Sequence, residues 1–123
     1  LRRAVEREEF RLFYQPKIAA LRDEVVGAEA LIRWQHPDLG LIGPQQFIPV
    51  AEDSGIIVPI GTWVMEEACR QLAAWSGVVP AGFQVSVNLS AAQFAQPDLV
   101  ATVEHALDAA RVAPAQLQIE LTE

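Results

Sequence analysis

Hydrophobic and polar positions along this chain repeat with two different periods, and the switches between them predict its elements. Val25-Val26-Gly27-Ala28-Glu29-Ala30-Leu31-Ile32-Arg33-Trp34 is an apolar run interrupted by one acid and one base. It lies between a charged turn, Arg22-Asp23-Glu24, and a proline-containing loop, His36-Pro37-Asp38. Its β-branched start and its length predict a buried strand. Side chains alternate across a strand, so Glu29, Leu31 and Arg33 share one face and Ala28, Ala30 and Ile32 the other. Phe10 to Ile18 reads as the preceding strand, with Pro16 tolerated near an end or on an edge. The link from Ile18 to Val25 is too short for a crossover helix, which predicts an antiparallel hairpin.

A helical period follows. Pro44 suits the first turn of a short helix running to Glu52, and Gly55 ends that segment. Ile60, Val64, Ala68, Leu72 and Trp75 recur at helical spacing, predicting a longer amphipathic helix that stops before Gly77. Period two returns between Phe83 and Ser90, where Val85, Val87 and Leu89 point one way and Gln84, Ser86, Asn88 and Ser90 the other. Ser90 with Gln93 resembles a capping box, and Pro97 to Arg111 carries Leu99, Val103, Leu107 and Ala110 as a further helix closed by Pro114. Gln116 to Glu123 is a last strand, with Leu117, Ile119 and Leu121 on one face and Gln118, Glu120 and Thr122 on the other.

From the second strand onward, strands alternate with helices. That order predicts parallel strands with right-handed crossovers and helices on the apolar face. The opposite face is lined by Gln15, Glu29, Arg33, Asn88, Gln118 and Glu120, which is the inside of a barrel seen in part. A (β/α)8 barrel needs about 250 residues, and this chain has 123. The expected fold class is therefore α/β, a TIM-like (β/α)8 barrel with an antiparallel first strand, about half of it present. The final strand has no helix to cover its apolar face, which reads as a truncation.

Composition narrows the class. Hydrophobic residues make up 51% of the chain without low-complexity tracts, so one globular body with a real core is expected. The net charge of −7 argues against a general DNA, RNA or anionic-membrane binder, because phosphate neutralisation needs clustered Lys and Arg. Any phosphate ligand is then held by a local site. No apolar run approaches the roughly 20 residues of a membrane span, and no signal-like series opens the chain. The lone cysteine, Cys69, lies in a helical pattern and reads as a small core residue in a reducing, cytoplasmic compartment. Trp63 and Trp75 read as core or interface, His36 as a turn residue and His105 as solvated. Trp34 stays open, since it ends a strand near the candidate site.

Three oxygen donors, Glu29, Asn88 and Glu120, fall near the carboxyl ends of successive parallel strands, the rim where barrels of this type carry their active sites. Two carboxylates and an amide carbonyl, without Cys or a well-placed His, form a hard set suited to Mg²⁺, Mn²⁺ or Ca²⁺. Arg33 presents a planar fork that suits phosphate. A buried ion without a partner is costly, so a structural Glu29–Arg33 pair is the other reading of this strand. Gln15 reads equally as a residue packed inside the barrel.

Glu29-Ala30-Leu31 stands within Glu29-Ala-Leu-Ile-Arg33-Trp34. It is followed in order by the His36-Pro37 turn, Phe47-Ile48-Pro49-Val50-Ala51-Glu52, Val87-Asn88-Leu89-Ser90 and Glu120-Leu121-Thr122-Glu123. From about Phe10 onward this series resembles the EAL domain family. A bare Glu-Ala-Leu triplet carries little weight; several separated motifs in the right order are highly specific. The resemblance implies a bacterial, cyclic-guanylate-specific phosphodiesterase acting on cyclic di-GMP, on a modified barrel whose first strand runs antiparallel. Residues 1–9 are then a linker helix and residues 10–123 the N-terminal half of the domain.

By position, Glu29, Asn88 and Glu120 are similar to the family's metal ligands, and Arg33 to its substrate-phosphate contact. Gln15 is similar to a substrate-binding residue on the first strand, and Leu31 to the residue packed beneath the substrate. Glu123 is similar to the glutamate that steadies a neighbouring loop. The resemblance implies a pair of Mg²⁺ or Mn²⁺ ions that activate a water for in-line attack on one phosphodiester, giving linear pGpG. The family's remaining functional residues, an Asp-Asp pair, a Lys and a further Glu, lie beyond position 123, so the fragment alone is expected to be inactive. The alternative is a degenerate EAL domain acting as a cyclic di-GMP receptor or protein-interaction module. Implied partners are cyclic di-GMP, a second EAL copy, and an upstream sensory or diguanylate-cyclase-like GGDEF domain.

Overall fold

The hairpin that opens the domain sets the register for everything after it. In the computed structural model, which describes residues 1–122, β1 (Phe10–Ala19) and β2 (Glu24–His36) pair antiparallel as expected. Glu123 lies outside the described residues. Gln15 stands opposite Glu29 and Lys17 opposite Gly27. The register slips between Lys17 and Ile18, leaving Val26 as the extra residue on β2. A bulge of this kind sharpens the twist and re-aims the side chains beside it.

A three-residue strand, β3 (Gly40–Ile42), pairs back onto the end of β2 where the sequence pattern reads as loop. His36 explains the turn: its Nδ1 accepts the backbone N–H groups of Asp38 and Leu39 at 3.0 and 3.1 Å. β4 (Gln84–Ser90) pairs parallel with β2, and β5 (Leu117–Thr122) parallel with β4, giving the order β1-β2-β4-β5.

Helices α2 (Pro44–Ser54) and α3 (Ile57–Ala74) connect β3 to β4, and α4 (Ala91–Phe94) and α5 (Leu99–Ala110) connect β4 to β5. Pro44 sits in the first turn of α2, and Gly55 ends it in the left-handed region, at a φ of 81°. The capping box forms as the sequence predicts: Ser90 N–H donates to Gln93 Oε1 at 2.8 Å and Gln93 N–H to Ser90 Oγ at 3.4 Å.

The core lies between the sheet and α3. Val85, Val87 and Leu89 are 0, 0 and 1% exposed, and they share the core with Ile60, Met65, Ala68 and Leu72 of α3. Each fully buried aliphatic side chain contributes about 1.5–3 kcal/mol. Cys69 is part of this core, and burial pushes its thiol up from the ordinary range. Phe10 packs against Phe47 and Trp63, and Trp34 against Phe47. The Trp34 indole N–H donates to Glu9 Oε1 at 3.0 Å, so this tryptophan belongs to the aromatic cluster and not to the concave face.

The segment before β1 is tied to the sheet. α1 (Arg2–Glu6) buries Ala4, and the Gln35 N–H donates to the Glu9 carbonyl at 2.7 Å. No described helix is long and apolar enough to cross a membrane.

Candidate functional site

Parallel pairing stacks the polar face of the sheet in levels. Glu29 is level with Ser86, Ser86 with Gln118, and Asn88 with Glu120. Gln15, opposite Glu29, completes the lower level. The sequence reading put Glu29, Asn88 and Glu120 near the carboxyl ends of successive strands; the structure sets Glu29 one pleat lower than the other two. Neighbouring strands of a barrel are offset by its shear, which alternation along single strands does not reveal.

Asn88 closes that gap. Its Nδ2 donates to Glu29 Oε2 at 2.9 Å, which leaves the amide oxygen uncommitted to Glu29. Glu120 has a different partner, one the sequence reading missed. The Lys17 ammonium donates to Glu120 Oε1 at 3.2 Å and to Ser86 Oγ at 2.6 Å, and Ser86 Oγ donates onward to Gln118 Oε1 at 3.3 Å. Lys17 and Glu120 stand three strand spacings apart in the sheet order, about 14 Å on a flat sheet. Their contact requires a sheet curled toward its polar face, as a barrel wall is.

Arg33 does not pair with Glu29. Its Nη1 donates to the Ile32 carbonyl at 2.7 Å, and the ion pairs among the described residues are Lys17–Glu120 and Arg70–Glu67. Glu29, Leu31, Arg33 and Asn88 line a cleft of about 560 Å³, with Pro44, Gln45 and Ile48 of α2 on its other wall. That volume suits a small-molecule site. Gln15 is exposed on the concave face, and neither it nor Glu120 lines this cleft.

The donor chemistry fits a hard divalent cation in part. Glu29 and Asn88 are in direct contact, and Glu120 is level with Asn88. Among the described residues no group of three or more His, Cys, Asp or Glu side chains converges; Glu29, Asn88 and Glu120 offer two carboxylates and one amide oxygen. Lys17 was detectable in one respect: alternation puts it on the same face of β1 as Gln15.

A curled α/β sheet, backed by helices and carrying carboxylates and an amide on its concave side, defines a segment of a TIM-like barrel with its polar chemistry inside. The chain belongs to the EAL domain family, which it matches over residues 1–123. It is 49% identical over 123 residues to the bifunctional diguanylate cyclase/cyclic di-GMP phosphodiesterase MucR of Pseudomonas aeruginosa, covering 100% of this chain and 18% of MucR. It is 42% identical over 125 residues to the cyclic di-GMP phosphodiesterase PdeR of Escherichia coli, again covering 100% of this chain and 18% of the relative.

Among solved structures, the PaMucR phosphodiesterase in complex with c-di-GMP matches with a TM-score of 0.94 at 48% identity, over 99% of this chain and 49% of that one. The FimX EAL domain from Pseudomonas aeruginosa bound to c-di-GMP matches with a TM-score of 0.84 at 30% identity, over 98% and 47%. The chain therefore spans about half of these solved chains and a much smaller part of the curated relatives.

Proposed function

We propose that the domain containing this chain hydrolyses cyclic di-GMP to linear pGpG with Mg²⁺ or Mn²⁺. The observation that carries this reading is the Asn88–Glu29 hydrogen bond with Glu120 level with Asn88: three oxygen-bearing side chains on three adjacent strands of one concave face. The names of MucR and PdeR support the substrate and the reaction.

Glu29, Asn88 and Glu120 would hold the metal, which when bound supplies a water of lowered pKa and stabilises charge on the phosphoryl oxygens. Arg33, at the cleft wall, binds a substrate phosphate through the guanidinium donors not spent on Ile32. Leu31 packs beneath the substrate and Gln15 contacts it from β1; Glu123, outside the described residues, keeps only the supporting role that its motif implies. Pro44 and Ile48 present an apolar wall that limits water around the ligand.

The bifunctional name of MucR supports a diguanylate-cyclase-like unit in the same parent protein; a sensory unit and a second EAL copy are the further partners proposed. The buried free thiol of Cys69 supports a cytoplasmic site.

The test uses the intact domain, purified and incubated with cyclic di-GMP and Mn²⁺, with products separated by chromatography. Linear pGpG is expected, and Glu29→Gln is expected to reduce turnover about 10³-fold while the fold is retained. Tight binding without turnover in the unaltered domain would replace the enzyme by a receptor. The absence of both binding and turnover would overturn the reading.

A further inference from the structure

We propose that Lys17 is an internal counter-ion that competes with the divalent cation for Glu120 and so sets how tightly the site holds metal. The inference rests on the reading of Glu120 as a metal ligand.

Lys17 reaches the site because of what surrounds it. It stands opposite Gly27, a position on the concave face of β2 without a side chain, and beside the Val26 bulge of β2. A Cβ at Gly27 would come within 2.5 Å of the Gln84 carbonyl, so that opening is built into the sheet. The ammonium then meets two partners on two further strands, Ser86 Oγ at 2.6 Å and Glu120 Oε1 at 3.2 Å.

An ion pair as open as this one, with side chains 41% and 39% exposed, adds little to stability by itself. Ser86 is what makes the arrangement specific. It is 1% exposed, and its hydroxyl is oriented by Gln118.

The chemistry follows from charge. With no divalent ion bound, the ammonium offsets the negative charge that Glu29 and Glu120 place on one face. A divalent cation on Glu120 would lie a few ångströms from Lys17, and like charges at that range repel strongly. The ammonium can give up Glu120 and keep Ser86, so metal binding does not strand it without a partner. Lys17 is a positioning residue in this account, acting through Glu120 and not on the substrate.

The test is calorimetric titration of the metal-free intact domain with Mn²⁺, comparing Lys17→Met, Lys17→Arg and Glu120→Gln, with folding checked by circular dichroism. Lys17→Met is expected to bind Mn²⁺ about tenfold more tightly. Lys17→Arg keeps the charge and is expected to stay near the parent, while Glu120→Gln binds more weakly. Should Lys17→Met not fold, Lys17→Gln makes the same comparison. Unchanged or weaker binding in the charge-removing variant, with Glu120→Gln weakened, overturns the counter-ion and leaves Glu120 standing as a ligand. Unchanged binding in Glu120→Gln overturns that ligand role and the competition with it.

Discussion

The two faces of β4 are made by alternate residues of one strand and have opposite fates. Val85, Val87 and Leu89 are sealed under α3 and share a core in which one apolar contact is much like another. Ser86 and Asn88 face the concave side, and each has an identifiable partner on another strand: Lys17 and Gln118 for Ser86, Glu29 for Asn88. The outer face holds the sheet to its helices by area, and the inner face orders polar groups by hydrogen bonds and charge. A substitution on one face should therefore leave the property carried by the other intact, and that separation can be attacked from either side.

Leu89→Ala is the strongest attack from outside. It removes a fully buried side chain immediately after Asn88, and should lower the unfolding free energy of the intact domain by about 3 kcal/mol in urea titrations. Mn²⁺ affinity should not move. A loss of metal affinity without a loss of stability would break the comparison, because the strand would then be transmitting packing directly into the site.

Gly61→Ala probes the place where the two faces come closest. A Cβ at Gly61 would collide with the Gln93 side-chain amide. That amide donates to the Ile57 carbonyl at 3.1 Å and accepts the Ser90 N–H at 2.8 Å, so it joins α3 to the carboxyl end of β4. Displacing it leaves buried polar groups without partners, at a cost of about 2 kcal/mol. Adding Gln93→Ala removes the colliding group, so the double variant should lose less than the sum of the two single changes.

Much of this was readable in the chain. Alternation assigned Val85, Val87 and Leu89 to the core and Ser86 and Asn88 to the other side, the short link after Ile18 gave the hairpin, and Ser90 with Gln93 gave the cap. The separated motifs gave the family.

What escaped depends on how strands sit beside one another. Glu29 lies level with Ser86 because of a stagger between strands that no single-strand period encodes. Lys17 was visible by parity, but its partner on β5 was not, because the contact exists only once the sheet curls. The Glu29–Arg33 pair fails for a simpler reason: four residues along a strand span about 13 Å, and the guanidinium finds the nearer Ile32 carbonyl instead. β3 is three residues long, too short to show any period.

Tyr14 sharpens the comparison from the outer face, with the smallest expected effect. Its ring meets Trp75 edge-on, with centroids 5.1 Å apart, and its buried hydroxyl has no hydrogen-bond partner among the described residues. Burial, with the nearby Glu67 carboxylate second, pushes the phenol above its ordinary value of 10.0. Unlike Ser86 and Asn88, it is a polar atom on a face that works by area. Tyr14→Phe in the intact domain should then be neutral or stabilising by up to about 1 kcal/mol at pH 7. The pH dependence has a fixed sign. As pH rises through 10.0 the unfolded chain releases the phenol proton while the folded protein retains it, so the parent loses stability as pH rises. Tyr14→Phe lacks that loss, and the urea midpoints of the two proteins should diverge increasingly from about pH 9 upward. A clear destabilisation by Tyr14→Phe at pH 7 would give the hydroxyl a partner outside the described residues, and the outer face would then depend on a specific polar contact as the inner one does.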